Sequence, residues 1–362
     1  VSMEVTRVIV IAVAVAVGVL VYRRIAGAPP SRGAAAAARE AEALGLLPAS
    51  RQNTMVSGPD PELERALAAA AARGDWEPAA RLLAATRERR DWQRRTRYAD
   101  LLGDAAAEGD GAWLDAWEAA RPDDPDAAVV RASSTISLAW LLRGGAWAKD
   151  TSAEQFAGFH RVLARSRDEI ARAAELVPDD PTPYVFEIRP ALGFGYPHDE
   201  MHRIWKEITN RDPYHFGAHT GALQYWYAKW RGSKELAERF TEEAAAAAPL
   251  GTLLKALPLI AWWEHHDDDA KAADFRSPRL VALVDAALAD VAAAPPDHPN
   301  VPGVRHLLAY YLTRQGRFEA ALEQFRLVDG YVGAFPWSCY SDPGAVYCRW
   351  RDTAVRGARR GR

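Results

Sequence analysis

DPYHFGAHTGALQYWYAKWRGSKELAERFTEEAAAAAP, residues Asp212 to Pro249, is the stretch that decides the fold. In its first half His219, Ala222, Leu223, Trp226 and Trp230 fall at i, i+3, i+4, i+7 and i+11, a single apolar stripe at helical period. Gly232 then offers a backbone position free of Cβ restrictions. Ser233 is a good N-cap, because its hydroxyl accepts from an otherwise unpaired amide, and Glu235 suits the positive end of a new helix. Leu236, Phe240, Ala244 and Ala247 carry the second stripe, and Pro249 stops it. The stretch predicts two antiparallel helices joined by a tight turn.

Outward from this hairpin the pattern stays helical. No β-rich alternating run occurs after Pro59. Asp-Pro pairs at Asp124-Pro125, Asp180-Pro181 and Asp212-Pro213 each precede a helical stretch, where proline's missing amide costs nothing. Pro181 to Pro213 is 32 residues and Pro213 to Pro249 is 36, steps that straddle the roughly 34-residue tetratricopeptide unit. GDWEPAARLL at Gly74 and GRFEAALEQF at Gly316 share a glycine for the bend, an aromatic (Trp76, Phe318) to plug the gap, and Ala79 or Ala321 for close helix approach. Spacing elsewhere is irregular, so the expectation is an all-α, degenerate tetratricopeptide-like array of helix hairpins with insertions.

The segments WEAARPDDPDAAVVRA at Trp117, AAELVPDDPTP at Ala173, KWRGSKELAERFTEEAAAAAPLG at Lys229 and PWSCYSDP at Pro336 carry a resemblance. From about Pro59 to Ala354 the chain resembles an uncharacterised bacterial tetratricopeptide-like domain family, with Lys-Trp-x-Gly-Ser the most specific element. The resemblance implies the helical-repeat fold and no particular activity.

The amino-terminal end reads differently. Val8 to Tyr22, VIVIAVAVAVGVLVY, is uncharged, with Arg7 before it and Arg23-Arg24 after. Extended to Val5 and Ile25 it reaches about 20 residues, the length of a spanning helix. A single-pass anchor over residues 1–27 is the favoured reading; a cleaved signal peptide ending near Ala26-Gly27-Ala28 is the alternative. Arg23, Arg24, Arg32 and Arg39 outweigh Arg7, which predicts a cytoplasmic carboxyl-terminal domain. Residues 28–59, rich in Pro, Gly, Ser and Ala, read as a flexible tether, and 60–362 as the helical domain. Six arginines after Cys348, against Asp352 alone, read as a solvated basic tail able to meet anionic head groups.

Composition narrows the functional classes. The 362 residues are 49% hydrophobic and 26% charged, enough to bury a core. A net charge of −3 argues against a nucleic-acid partner. Cys339 and Cys348 are the only cysteines, too few for a disulfide framework, and buried structural thiols are expected. No phosphate loop, dinucleotide fingerprint or Gly-x-Ser-x-Gly elbow occurs, and no cofactor is implied.

Two i, i+4 histidine pairs, His198/His202 and His215/His219, have the spacing from which one helix face offers two imidazoles to a metal. A metal-dependent enzyme is therefore an alternative, although the zinc-protease pattern needs glutamate where Asp199 stands. His265 and His266, being consecutive, cannot share a metal from a regular helix. They read as the fraying end of a helix packed through Trp262 and Trp263. The favoured function is a protein- or peptide-binding scaffold, with Trp226, Lys229, Trp230 and Trp337 as candidate binding residues and Lys229 pointing outward. A purely structural role in the cell envelope is a third reading.

Overall fold

The computed structural model describes residues 32–144, 151–266 and 269–360. Among them lie sixteen α-helices: α1 Arg32–Ala43, α2 Pro61–Arg73, α3 Glu77–Glu88, α4 Trp92–Glu108, α5 Ala112–Ala120, α6 Pro125–Arg143, α7 Ala153–Leu176, α8 Thr182–Phe194, α9 His198–Arg211, α10 Phe216–Trp226, α11 Lys234–Ala247, α12 Leu257–His266, α13 Pro278–Ala293, α14 Val301–Gln315, α15 Phe318–Val328 and α16 Pro343–Arg360. The all-α expectation holds across the described residues. The chain forms two compact units, one of residues 60–240 and one of residues 241–360 with 32–59.

Local chemistry sets the helix ends. The Asp124 carboxylate accepts from Asp126 N at 2.9 Å ahead of α6, and that of Asp180 accepts from Thr182 N at 2.8 Å ahead of α8. At Asp212 the helix begins later than the Asp-Pro pair implies. There His215 is the cap, its Nδ1 accepting from Ala218 N at 3.0 Å. Gly74 and Gly316 close α2 and α14 with φ of 66° and 79°, the left-handed conformation in which a Cβ is penalised. Trp76 stacks on Trp117 with centroids 5.6 Å apart, and Ala79 and Ala321 are fully buried.

The turn in the deciding stretch differs from its reading. The first helix stops at Trp226, so Trp230 lies in the turn and not on the helical stripe. Trp230 N and Gly232 N both donate to Tyr227 O, at 3.0 and 3.2 Å. Gly232 is required by crowding: a Cβ there would lie 1.9 Å from the Trp226 carbonyl oxygen. Ser233 caps as expected, its Oγ accepting from Leu236 N at 3.2 Å.

In the first unit α4 packs against α6, α8 and α10, with α3 and α7 packed on α4 and α6 in turn. Leu83, Leu102, Leu114, Trp117, Val130, Ile136, Phe159 and Leu163 form its core. Each buried side chain of this kind contributes about 1.5–3 kcal/mol of transfer free energy.

In the second unit the described part of the segment expected to be a tether, residues 32–59, is instead packed structure. Helix α1 lies on α16, with Ala41 and Leu46 against Val355 and Ala358. Residues 47–56 then run as a strap with one 3-10 turn, Ala49–Arg51. Leu47 N and Gln52 Nε2 donate to the Asp329 carboxylate at 2.6 and 3.0 Å. Asn53 N donates to Gly330 O at 2.8 Å, and Val332 N to Asn53 O at 2.7 Å. The arginine-rich end is corrected in part: Arg349, Arg359 and Arg360 are exposed, as in a solvated tail, but the segment is helical to Arg360. It is helix α16, and Arg351 within it is 1% exposed, its guanidinium bonded to Leu47 O at 2.5 Å and to Asp352.

The single-pass membrane placement is also corrected. Among the described residues no helix is long and apolar enough to cross a membrane. Val8 to Tyr22, on which that expectation rested, lies outside them.

Candidate functional site

The histidine pairs do not assemble. His198 and His202 are exposed on α9, and both rings rest on the Trp226 indole, with centroids 5.2 and 5.4 Å from it. His198 Nε2 donates to Arg231 O at 2.8 Å. His215 and His219 are buried at the start of α10. Since His215 Nδ1 accepts from an amide, its proton sits on Nε2, 3.0 Å from Thr96 Oγ1. His219 Nδ1 donates to His215 O at 2.9 Å, and its ring meets Trp205 edge-on at 4.8 Å. Burial holds His215 below its usual range and brings His219 down to about 4, so both are neutral at pH 7. No group of three or more His, Cys, Asp or Glu side chains among the described residues is placed to hold a metal ion.

The four aromatic and cationic candidates separate as well. Trp337 is fully buried in the second unit, its Nε1 donating to His306 Nδ1 at 3.0 Å. Trp226 is buried beneath the α9 histidines. Lys229 does not point straight outward; its Nζ lies 5.2 Å from the centroid of the Tyr227 ring. Of the cysteines, Cys348 is buried and its thiol pushed up to about 12 by that burial, whereas Cys339 is half-buried.

Trp230 belongs to a larger surface that the sequence did not disclose. Its ring meets Trp140, near the end of α6, at 6.1 Å and 79°. Trp140 meets Phe159 at 5.0 Å, and Phe159 meets His160 at 5.2 Å. His160 stacks on Phe194 at 5.6 Å, and Phe194 on Tyr196 at 6.2 Å. Phe156 flanks His160 at 6.0 Å. The strip thus gathers the end of α6, the start of α7, the end of α8 and the turn after α10. Phe159 and Tyr196 are buried; Trp140, Phe156, Phe194 and Trp230 are half-buried, and His160 is exposed. Two guanidinium groups lie on it. Arg143 is 5.4 Å from the Trp140 centroid, and Arg167 is 4.6 Å from that of Phe194 while its Nε donates to Tyr196 OH at 2.9 Å.

Two polar constellations sit inside the same unit. In the first, Arg95 of α4 is fully buried, with Nε donating to Asp180 at 2.5 Å and Nη1 to Asp126 at 2.6 Å. Arg87 reaches Asp126 at 3.2 Å, so two cations balance two carboxylates. Thr96 Oγ1 bonds Thr182 Oγ1 at 3.0 Å and His215 Nε2 at 3.0 Å. This knot ties the starts of α6, α8 and α10 to α4.

The second is a seam along the same helices. Ser133 and Ser137 of α6 donate to Asp100 and Asp104 of α4, at 3.2 and 2.5 Å. Arg189 of α8 spans them, Nη1 on Asp100 at 2.8 Å and Nη2 on Ser137 Oγ at 3.0 Å. Gly103 permits the close approach, since a Cβ there would lie 2.5 Å from the Ser133 Cβ. Burial and the neighbouring Asp100 push the Asp104 carboxyl up to about 7. Asp100 and Asp104 are an i, i+4 carboxylate pair readable in the sequence; Arg189 carries no such signal.

No family model matches the chain, and no curated protein and no solved structure proves similar to it.

Proposed function

We propose that the chain is a tetratricopeptide-like array of helix hairpins that serves as a docking scaffold for another protein, with the aromatic strip of the first unit as its docking surface. The observation that carries this reading is the strip itself: rings from four separate elements, several half open to solvent, with two guanidinium groups laid across them. Half-exposed aromatic and arginine side chains in one patch are the residue types that dominate binding energy at protein interfaces. Guanidinium groups lie over two of the rings, which favours a partner segment carrying aromatic side chains among carboxylates. The likeness of the Gly74 and Gly316 turns, and the tetratricopeptide resemblance read from the sequence, support the repeat architecture.

Selection of displayed peptides on the full-length chain tests this. Acidic aromatic sequences are expected to enrich, and their binding to weaken at least tenfold in Phe194→Ala and in Trp230→Ala, variants at two ends of the strip. Equal binding by both variants would place the docking surface elsewhere.

A further inference from the structure

Residues 32–57, helix α1 and the strap after it, form an arm seated on α16 and on residues 329–333 of the second unit. Its hold is mainly polar and through the backbone. Leu47 N donates to Asp329 at 2.6 Å, Arg351 Nη1 to Leu47 O at 2.5 Å, and Gly330 N to Gln52 Oε1 at 2.8 Å. Asn53 bridges Tyr331 in parallel, its N donating to Gly330 O and its O accepting from Val332 N, and Gly333 N donates to Val56 O at 3.0 Å. We propose that this arm is exchangeable and that a second copy of the chain supplies it in trans. Two chains then associate by each laying residues 32–57 on the other's seat.

Much of what the arm covers is fit to meet water. Beneath it lie the Asp329 carboxylate, the Arg351 guanidinium 3.4 Å away, the Gly330 carbonyl and the amides of Val332 and Gly333. Among the described residues of the arm the buried apolar side chains are Ala37, Ala41 and Leu46. Lifting it therefore exposes less apolar area than lifting a core helix would. The seat is nevertheless selective. A Cβ at Gly333 would lie 2.4 Å from the Met55 carbonyl carbon, and one at Gly344 would lie 3.1 Å from Ala49 O, so the backbone approach is close along the strap. The segment known to satisfy that shape is the chain's own, and every copy carries it. The joint to the first unit is short. Gly58 packs on Pro302, Asp60 already caps α2 by accepting from Leu63 N at 3.1 Å, and Pro59 alone stands between them. Short joints are the connections that invite exchange between copies. Mutual exchange gives a closed isologous pair with both seats filled by the bonds a single chain makes. Within one chain the arm's local concentration is on the order of mM, which sets the chain concentration at which exchange competes.

The test is the mass of the full chain after concentration to about 1 mM, read by light scattering on a sizing column. A dimer is expected beside the monomer, and it persists on dilution because many bonds must break together before an arm leaves. Two variants divide the contact. Asn53→Pro removes the arm amide that donates to Gly330 O and leaves the seat intact. Gly333→Val puts a side chain where Met55 and Val56 pass and leaves the arm intact. Each variant alone should form about tenfold less dimer or lower still. An equal mixture of the two should regain dimer, because the Gly333→Val chain's arm fits the Asn53→Pro chain's seat. A pair meeting through any other surface gives no such rescue. A native chain that stays monomeric at about 1 mM, an undiminished dimer in either variant alone, or a mixture without rescue would overturn the proposal.

Discussion

At the scale of single residues, Gly232→Ala is expected to lower stability by at least about 2 kcal/mol, because the new methyl would meet the Trp226 carbonyl and the turn has to open. Thermal melts read this directly, and an unchanged midpoint would show that the turn yields. Arg95→Met leaves Asp126 and Asp180 buried without their shared cation and should cost about 3–5 kcal/mol in urea unfolding. His306 supplies a pH dependence. Its imidazole is fully buried against Trp337 and Tyr347 and held down to about 4 by that burial. An unfolded histidine titrates near about 6.5. As pH falls below that value the unfolded chain binds a proton the folded one refuses, so stability declines until about pH 4, by roughly 3 kcal/mol in total. His306→Gln, which keeps an acceptor for the Trp337 indole, should flatten the difference between urea melts at pH 7 and pH 5. The sequence showed Gly232 and His219 as notable positions but not the reasons for them. A glycine forced by a carbonyl a few residues away looks, in one dimension, the same as one forced by a positive φ.

At the scale of elements, helix existence was readable and helix destination was not. Proline and Asp-Pro pairs mark helix starts because the missing amide and the capping carboxylate act within a few residues. The strap over residues 47–56 has no such local signature. Its partners Asp329 and Gly330 lie 282 and 277 residues away from Leu47 and Asn53, respectively. Alanine in α1 and arginine in α16 mislead for the same reason: Ala37 and Ala41 bury little area each, and Arg351 is buried because Leu47 O, Asp329 and Asp352 await it. Deleting residues 1–57 removes this seal. Hydrogen exchange should then accelerate in α14 to α16, while peptides from α6 and α8 keep their protection; uniform acceleration throughout would refute a strap confined to the second unit.

At the scale of the whole molecule, periodicity predicted one continuous helical domain after Pro59, whereas two units are present, the second assembled from both ends of the described chain. Hydrophobic period reports which face a helix hides, and says nothing of which distant helix covers it. The aromatic strip escaped notice on the same account. Trp140, Phe156, Phe194 and Trp230 sit on four elements, and only Trp230 stands in a segment that sequence patterning singled out.

The discontinuous second unit has a consequence for biosynthesis. A ribosome releases Leu47 long before Asp329 exists, and at about 5–20 residues per second the interval is on the order of tens of seconds. The first unit emerges complete within that window and can collapse on its own, while the strap's amides stay hydrated and wait. Helix α16, made long after α1, is therefore the one that secures it.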